Sequence, residues 1–178
     1  MIRSGKKLKE LNLILTNGSA SKIAEAIRFL RSELPFKGAI GQLVSYYNST
    51  NNPSLKRLIS EFMNDIKDQS ARNEIVEEIK KIHLPETTRM LISSCWQSGL
   101  DYSDYTIEFA RIFVETEDYI TALECFSVIE LSVYKMTKRD KETLLEKISI
   151  EPLSGPAEKS ALRRELVTIL HLSPGPDL

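Results

Sequence analysis

The sequence predicts an all-α fold built from antiparallel helix pairs stacked in series. Three observations carry that expectation. Apolar residues recur at helical spacing in segment after segment, as in Ile75, Val76, Ile79 and Ile82, or Phe109, Ile112 and Phe113. Helix-stopping and helix-capping residues return every 15 to 18 positions or so, and no stretch alternates with period two long enough for a sheet. A pattern repeats at an offset of about 32 residues, with Ile23, Leu55 and Thr87 in register, then Ala26, Leu58 and Met90, then Ile27, Ile59 and Leu91.

The elements follow in order. Ser4 caps a first helix to Leu15, and Gly18 ends it. Ser21 caps a second over 22–33, and Leu34-Pro35 stops it. A third runs over 36–47, with Gly38 and Gly41 inside it at the close approach of a neighbouring helix. After the polar turn 48–52, Pro53 opens a fourth over 54–66. Asp68 or Ser70 caps 71–82, and Pro85 opens 86–97, which Gly99 terminates. Asp101 or Ser103 caps 104–115, Asp118 caps 119–134 and Thr137 caps 138–148. Ser154-Gly155-Pro156 opens a last helix to about Leu170. That makes about five antiparallel pairs in one domain over 1–172, with 173–178 a disordered tail.

Composition narrows the function classes. The 178 residues suffice for one core burying roughly two-thirds of the unfolded surface, so no staple is required. Lys plus Arg number 24 against 25 Asp plus Glu, a net charge of −1, which lacks the basic excess of a dedicated nucleic-acid binder. The apolar run at 11–15 is too short for a membrane span or a signal core, which points to a cytoplasmic protein. Cys95 and Cys125 read as buried thiols. His83 and His171 lack ligand spacing, so neither metal nor cofactor is expected.

With Pro53 matching Pro85, Arg57 matching Arg89, and Asp101 and Asp118 at inter-helix turns, the chain resembles the HEAT repeat family over nearly its whole length. The segments Cys95-Trp-Gln-Ser-Gly-Leu-Asp-Tyr-Ser-Asp-Tyr105 and Ala122-Leu-Glu-Cys-Phe-Ser-Val-Ile-Glu130 also resemble small uncharacterised bacterial HEAT-like proteins. It departs from the family in its weak Val-Arg-x-x-Ala signature. The resemblance implies a right-handed α-α superhelix whose second helices line a concave surface that holds another protein.

On that implication Arg57, Glu61, Arg89, Ser93, Gln97 and Glu124 point outward, with Arg57 and Arg89 about 10 Å apart to grip an acidic segment. Trp96, Asp101, Tyr102 and Tyr105 form a second candidate surface around one turn. Against these stand plainer readings: solvated charges, ion pairs within the array, a packed Trp96 and helix-capping aspartates. The expected function is a non-catalytic protein-interaction scaffold with a protein or peptide partner. The alternatives are an oligomeric subunit using end faces such as Leu8, Leu11, Ile14 and Leu15, and an enzyme resembling the HEAT-like DNA glycosylases, with Trp96 and Asp101 in its site.

Overall fold

The computed structural model describes residues 2–32, 36–150 and 152–174, with side chains from residue 5 onward. Among the described residues there are ten α-helices and no strand: α1 (Ile2–Asn17), α2 (Ala20–Arg31), α3 (Ala39–Ser49), α4 (Pro53–Asn64), α5 (Arg72–Ile79), α6 (Pro85–Gln97), α7 (Thr106–Glu115), α8 (Tyr119–Ser132), α9 (Lys138–Ile150) and α10 (Lys159–Leu172). The all-α class is therefore what the sequence forms. None of these helices is long and apolar enough to cross a membrane. The chain divides into two compact units, Met1–Leu100 and Asp101–Leu178.

Several helix starts follow from side chains that reach the first free amides. Asn52 Oδ1 accepts from the Ser54 and Leu55 N–H groups, and Pro53 takes the first helical position of α4. Asp118 Oδ2 accepts from Thr121 N at 2.8 Å and starts α8. Thr137 and Asp140 cap each other's backbone N–H groups at the start of α9. Other starts differ from the expectation. Ser4 lies within α1, whose helical backbone begins at Ile2. Ser19, with extended backbone, caps α2 in place of Ser21. α3 begins at Ala39, because Gly38 turns left-handed at φ 90° and breaks the run from Phe36. α5 stops at Ile79, so Ile82 is wholly exposed and outside the apolar stripe. The exit toward Leu84-Pro85 requires extended backbone ahead of the proline. Likewise α10 starts at Lys159, three residues later than Pro156.

In unit 1, α1 packs on α2, α3 on α4, and α5 on α6. Odd helices also pack on odd ones (α1 on α3, α3 on α5) and even on even (α2 on α4, α4 on α6). Ile27, Leu43, Ile59 and Leu91, each at 0% exposure, sit in this core. Burial of each such side chain contributes about 2 kcal/mol. The side-chain hydrogen bonds joining these helices span nearly one sequence period. Arg31 to Glu61 spans 30 residues, Asn64 to Gln97 spans 33, and Lys67 to the Ser98 carbonyl spans 31. Glu74 of α5 accepts from Gly38 N and Gly41 N, each at 3.1 Å, so its carboxylate sits on the positive end of α3. A Cβ on Gly41 would come within 2.8 Å of Glu78 Oε1, so α5 reaches this glycine through the ends of its glutamate side chains.

In unit 2, α7 packs on α8 and α9, and α10 packs on α8 and α9. Phe109, Phe113, Ile129, Leu144 and Leu166 fill the interior. Ser173 and Pro174, expected in a disordered tail, are described: their carbonyls accept from Lys141 Nζ at 3.0 and 2.8 Å. The rest of the expected tail, 175–178, lies outside the described residues, as do 33–35, where Leu34-Pro35 was expected to stop the second helix.

Candidate functional site

The even helices of unit 1 carry six of the expected site residues. Glu61 lies between two arginines, 3.2 Å from Arg31 Nη1 and 3.3 Å from Arg57 Nε. Arg31 also reaches Asp65. Lys56 Nζ stands 2.6 Å from Glu86 Oε1. Gln97 accepts from Asn64 at 2.6 Å and donates to Ser93 Oγ at 2.7 Å. These polar groups tie α2 to α4 and α4 to α6. Arg57 is exposed, yet its guanidinium already has a carboxylate on its own helix. Exposed pairs of this kind contribute at most about 1 kcal/mol each. Arg89 and Ser93 are half-buried on α6, and Trp96 is partly exposed near its end.

In unit 2, Tyr102 is 2% exposed. Its ring meets Phe109 edge-on with centroids 6.0 Å apart, and Tyr105 lies 6.2 Å away. Tyr102 is thus an aromatic core residue, not the exposed anchor expected from the sequence. Asp101 accepts from Ser103 N at 3.0 Å and pairs with Lys135 at 3.2 Å. Burial works to raise its pKa. The hydrogen bonds from Ser103 and the Lys135 ammonium outweigh it and hold the carboxyl below its ordinary value. Asp101 therefore shapes the turn ahead of α7. Glu124 is half-buried on α8.

A surface that the sequence reading did not single out lies on that same helix. Ile120, Leu123, Leu131 and Tyr134 are all exposed, and Ser127 sits among them. Their spacings of 3, 4, 4 and 3 residues place them on one face, Tyr134 by way of the 3₁₀ turn Val133–Lys135 that continues α8. The opposite face holds Ala122, Cys125, Phe126, Val128 and Ile129 in the core. A helix apolar on every side is ordinarily buried on every side. α8 is covered on one side only. Glu124 and Glu130 border its open stripe.

Two other features lie outside this stripe. A groove of about 550 Å³ runs beside α1 and α2, walled by Leu11, Ile14, Phe29 and Leu30 and rimmed by lysines and glutamates. It includes Leu11 and Ile14 of the end face weighed as an oligomer contact. In unit 2, Lys159 is fully buried. Its ammonium donates to the carbonyls of Thr116 and Ser154, each at 2.6 Å, and of Val114 at 3.3 Å, and lies 5.6 Å from the Phe113 ring centroid. Three acceptors occupy its three donors, so it works as a cap on the end of α7.

Cys95 and Cys125 are buried thiols, and Cys95 Sγ contacts the Leu91 carbonyl at 3.3 Å. Among the described residues no three His, Cys, Asp or Glu side chains are grouped to hold a metal ion. Comparison with protein-family models, with curated proteins and with solved structures finds no match.

Proposed function

We propose that the chain is a non-catalytic protein-binding module of the HEAT-like type, a right-handed superhelix of stacked helix pairs that docks a helical segment of another protein. The observation that carries this reading is the open apolar face of α8. It supplies what a recognition surface needs, a stripe of large apolar side chains on either side of Ser127, bordered by charge. The odd-on-odd and even-on-even packing, and the ties spanning 30 to 33 residues, support stacking in series. In that arrangement α8 is the second helix of its pair, so the stripe falls on the surface that such arrays use for partners. The charged side chains around Glu61 are occupied between helices. They serve the scaffold and leave recognition to the apolar stripe.

A nucleic-acid role finds no support on this face, since α8 contains two glutamates and neither lysine nor arginine. The test is a photoreactive phenylalanine placed at Leu131, with the same residue at exposed Ser45 of α3 as control. On irradiation in the native host, the Leu131 position is expected to give discrete adducts of higher mass and the Ser45 position none. Equal labelling from both positions, or none from Leu131, overturns the reading.

A further inference from the structure

We infer that Asn17 is a latent site of spontaneous deamidation, and that the last turn of α1 is the gate that holds the reaction off. An asparagine followed by glycine is the pairing most open to this chemistry. The glycine amide nitrogen has no side chain beside it to hinder attack on the asparagine side-chain carbonyl. At most positions such a neighbour could be exchanged, but here the fold requires it. Only Gly18 and Ser19 separate α1 from α2. A Cβ on Gly18 would stand 2.4 Å from the Ile14 carbonyl oxygen and 3.3 Å from Ile23 Cγ1. The nearer of these is backbone of the preceding turn, so no larger residue fits. Asn17 itself is exposed and is the final residue of α1.

The reaction needs no reagent but water. Gly18 N gives up its proton and bonds to Asn17 Cγ, closing a five-membered imide with the Asn17 main-chain carbonyl. The Cγ–Nδ2 bond breaks, and Nδ2 leaves as ammonia with the proton. Water then opens the ring. Cleavage between Gly18 N and Cγ yields aspartate. Cleavage between Gly18 N and the main-chain carbonyl carbon yields isoaspartate, whose backbone runs through Cγ and is one atom longer. The fold opposes the first step at the attacking atom. Gly18 N donates to Ile14 O at 2.8 Å, so it can lose its proton only when that bond opens. The Ile14 carbonyl therefore both imposes the vulnerable glycine and restrains it. Either product places a carboxylate at the C-terminal end of α1, where the helix dipole disfavours negative charge. The longer isoaspartate backbone also displaces Ser19, whose hydroxyl caps α2 at Lys22 N. Modification thus weakens the junction between the first two helices.

The test compares the full folded chain, the same chain in urea and a synthetic peptide spanning Leu11–Ala24, all held in mildly alkaline buffer. Proteolytic digestion and mass spectrometry quantify isoaspartate and aspartate at Asn17, and amide hydrogen exchange reports the protection of Gly18 N. In the peptide Asn17 is expected to convert, while Asn12, followed by the bulky Leu13, does not. In the folded chain conversion at Asn17 is expected to be slower by about tenfold or more, in step with the exchange protection of Gly18 N, because both reactions require the same opening. Urea returns it to the peptide rate. A folded chain that converts Asn17 as fast as the peptide, or slows it without protecting Gly18 N, overturns the gate. Absence of either product at Asn17 in the peptide and in the urea-unfolded chain overturns the site.

Discussion

Replacing Lys159 with methionine is expected to lower the unfolding free energy of unit 2 by about 2 kcal/mol at neutral pH. Methionine keeps an apolar stem of similar length but donates nothing. The carbonyls of Thr116, Ser154 and Val114 would then lie beside a side chain that cannot hydrogen-bond them. Relief from burying a cation offsets part of that loss, which is why the figure stays below the sum of three charge-assisted bonds. Urea unfolding monitored by circular dichroism measures it. The pH dependence has a defined sign. Burial, chiefly, pushes the Lys159 pKa below its ordinary 10.5, and the nearby Arg163 charge adds to this against an opposing contribution from Cys125. Between that lowered value and 10.5 the unfolded chain holds more protons than the folded one. Stability therefore rises as pH climbs through that window and falls again as pH drops through the lowered value. Subtracting the Lys159→Met profile from the parent profile isolates the slope. A variant as stable as the parent, with the same alkaline slope, would contradict the role assigned to Lys159.

Gly155→Ala is expected to cost about 3 kcal/mol or more. Gly155 has φ +88°, and an added Cβ would stand 2.8 Å from Glu117 Cα, 2.9 Å from Glu117 O and 3.0 Å from Thr116 O. All three are backbone atoms at the end of α7, so nothing can rotate aside. The left-handed conformation alone costs about 1 to 2 kcal/mol for alanine, and forced overpacking adds about 1 to 3. Gly99 provides an internal control. Its φ is +71°, but nothing lies within 4 Å of a Cβ there. Gly99→Ala should thus show the conformational cost without the clash. Equal losses at the two sites in denaturant unfolding would refute the close approach at Gly155. Together with the bond from Ser154 N to Val114 O at 3.0 Å, Gly155 and Lys159 fasten the segment before α10 across the end of α7. Changes at the two positions should consequently be less than additive.

Much of the helical frame was legible because its signals are local. Pro53, Pro85, Asp118 and Thr137 act within four residues of themselves, and each sits at a helix start as its chemistry requires. The 32-residue offset was legible too, and the ties from Arg31 to Glu61 and from Asn64 to Gln97 run at almost that separation. Ser19 and Ser21 were not separable by type, because the one with extended backbone caps. Lys159 looks like a solvated residue at a helix start. Its burial depends on carbonyls 43 and 45 residues earlier. Tyr102 was misread for a similar reason: a tyrosine in a polar turn looks exposed until Phe109 closes over it.

The candidate site was legible only in part. The second helices were expected to present charge, and Arg57 and Glu61 drew attention as charged residues among apolar ones. In the fold they face each other. The α8 stripe escaped notice for the opposite reason. Ile120, Leu123 and Leu131 are indistinguishable by type from their buried neighbours Val128 and Ile129. A helix with apolar residues on all sides reads as core throughout. Only the packing of α7 and α10 around α8 shows which side is left open.

The most direct check on that open side is the thermal and urea stability of the full chain carrying Leu123→Gln and Leu131→Gln. If the stripe faces solvent until a partner arrives, the double variant should lose no more than about 1 kcal/mol, since Leu131 is 58% and Leu123 36% exposed. A loss of 2 kcal/mol or more would mean that these leucines are already covered within the chain itself, and the docking face would not exist.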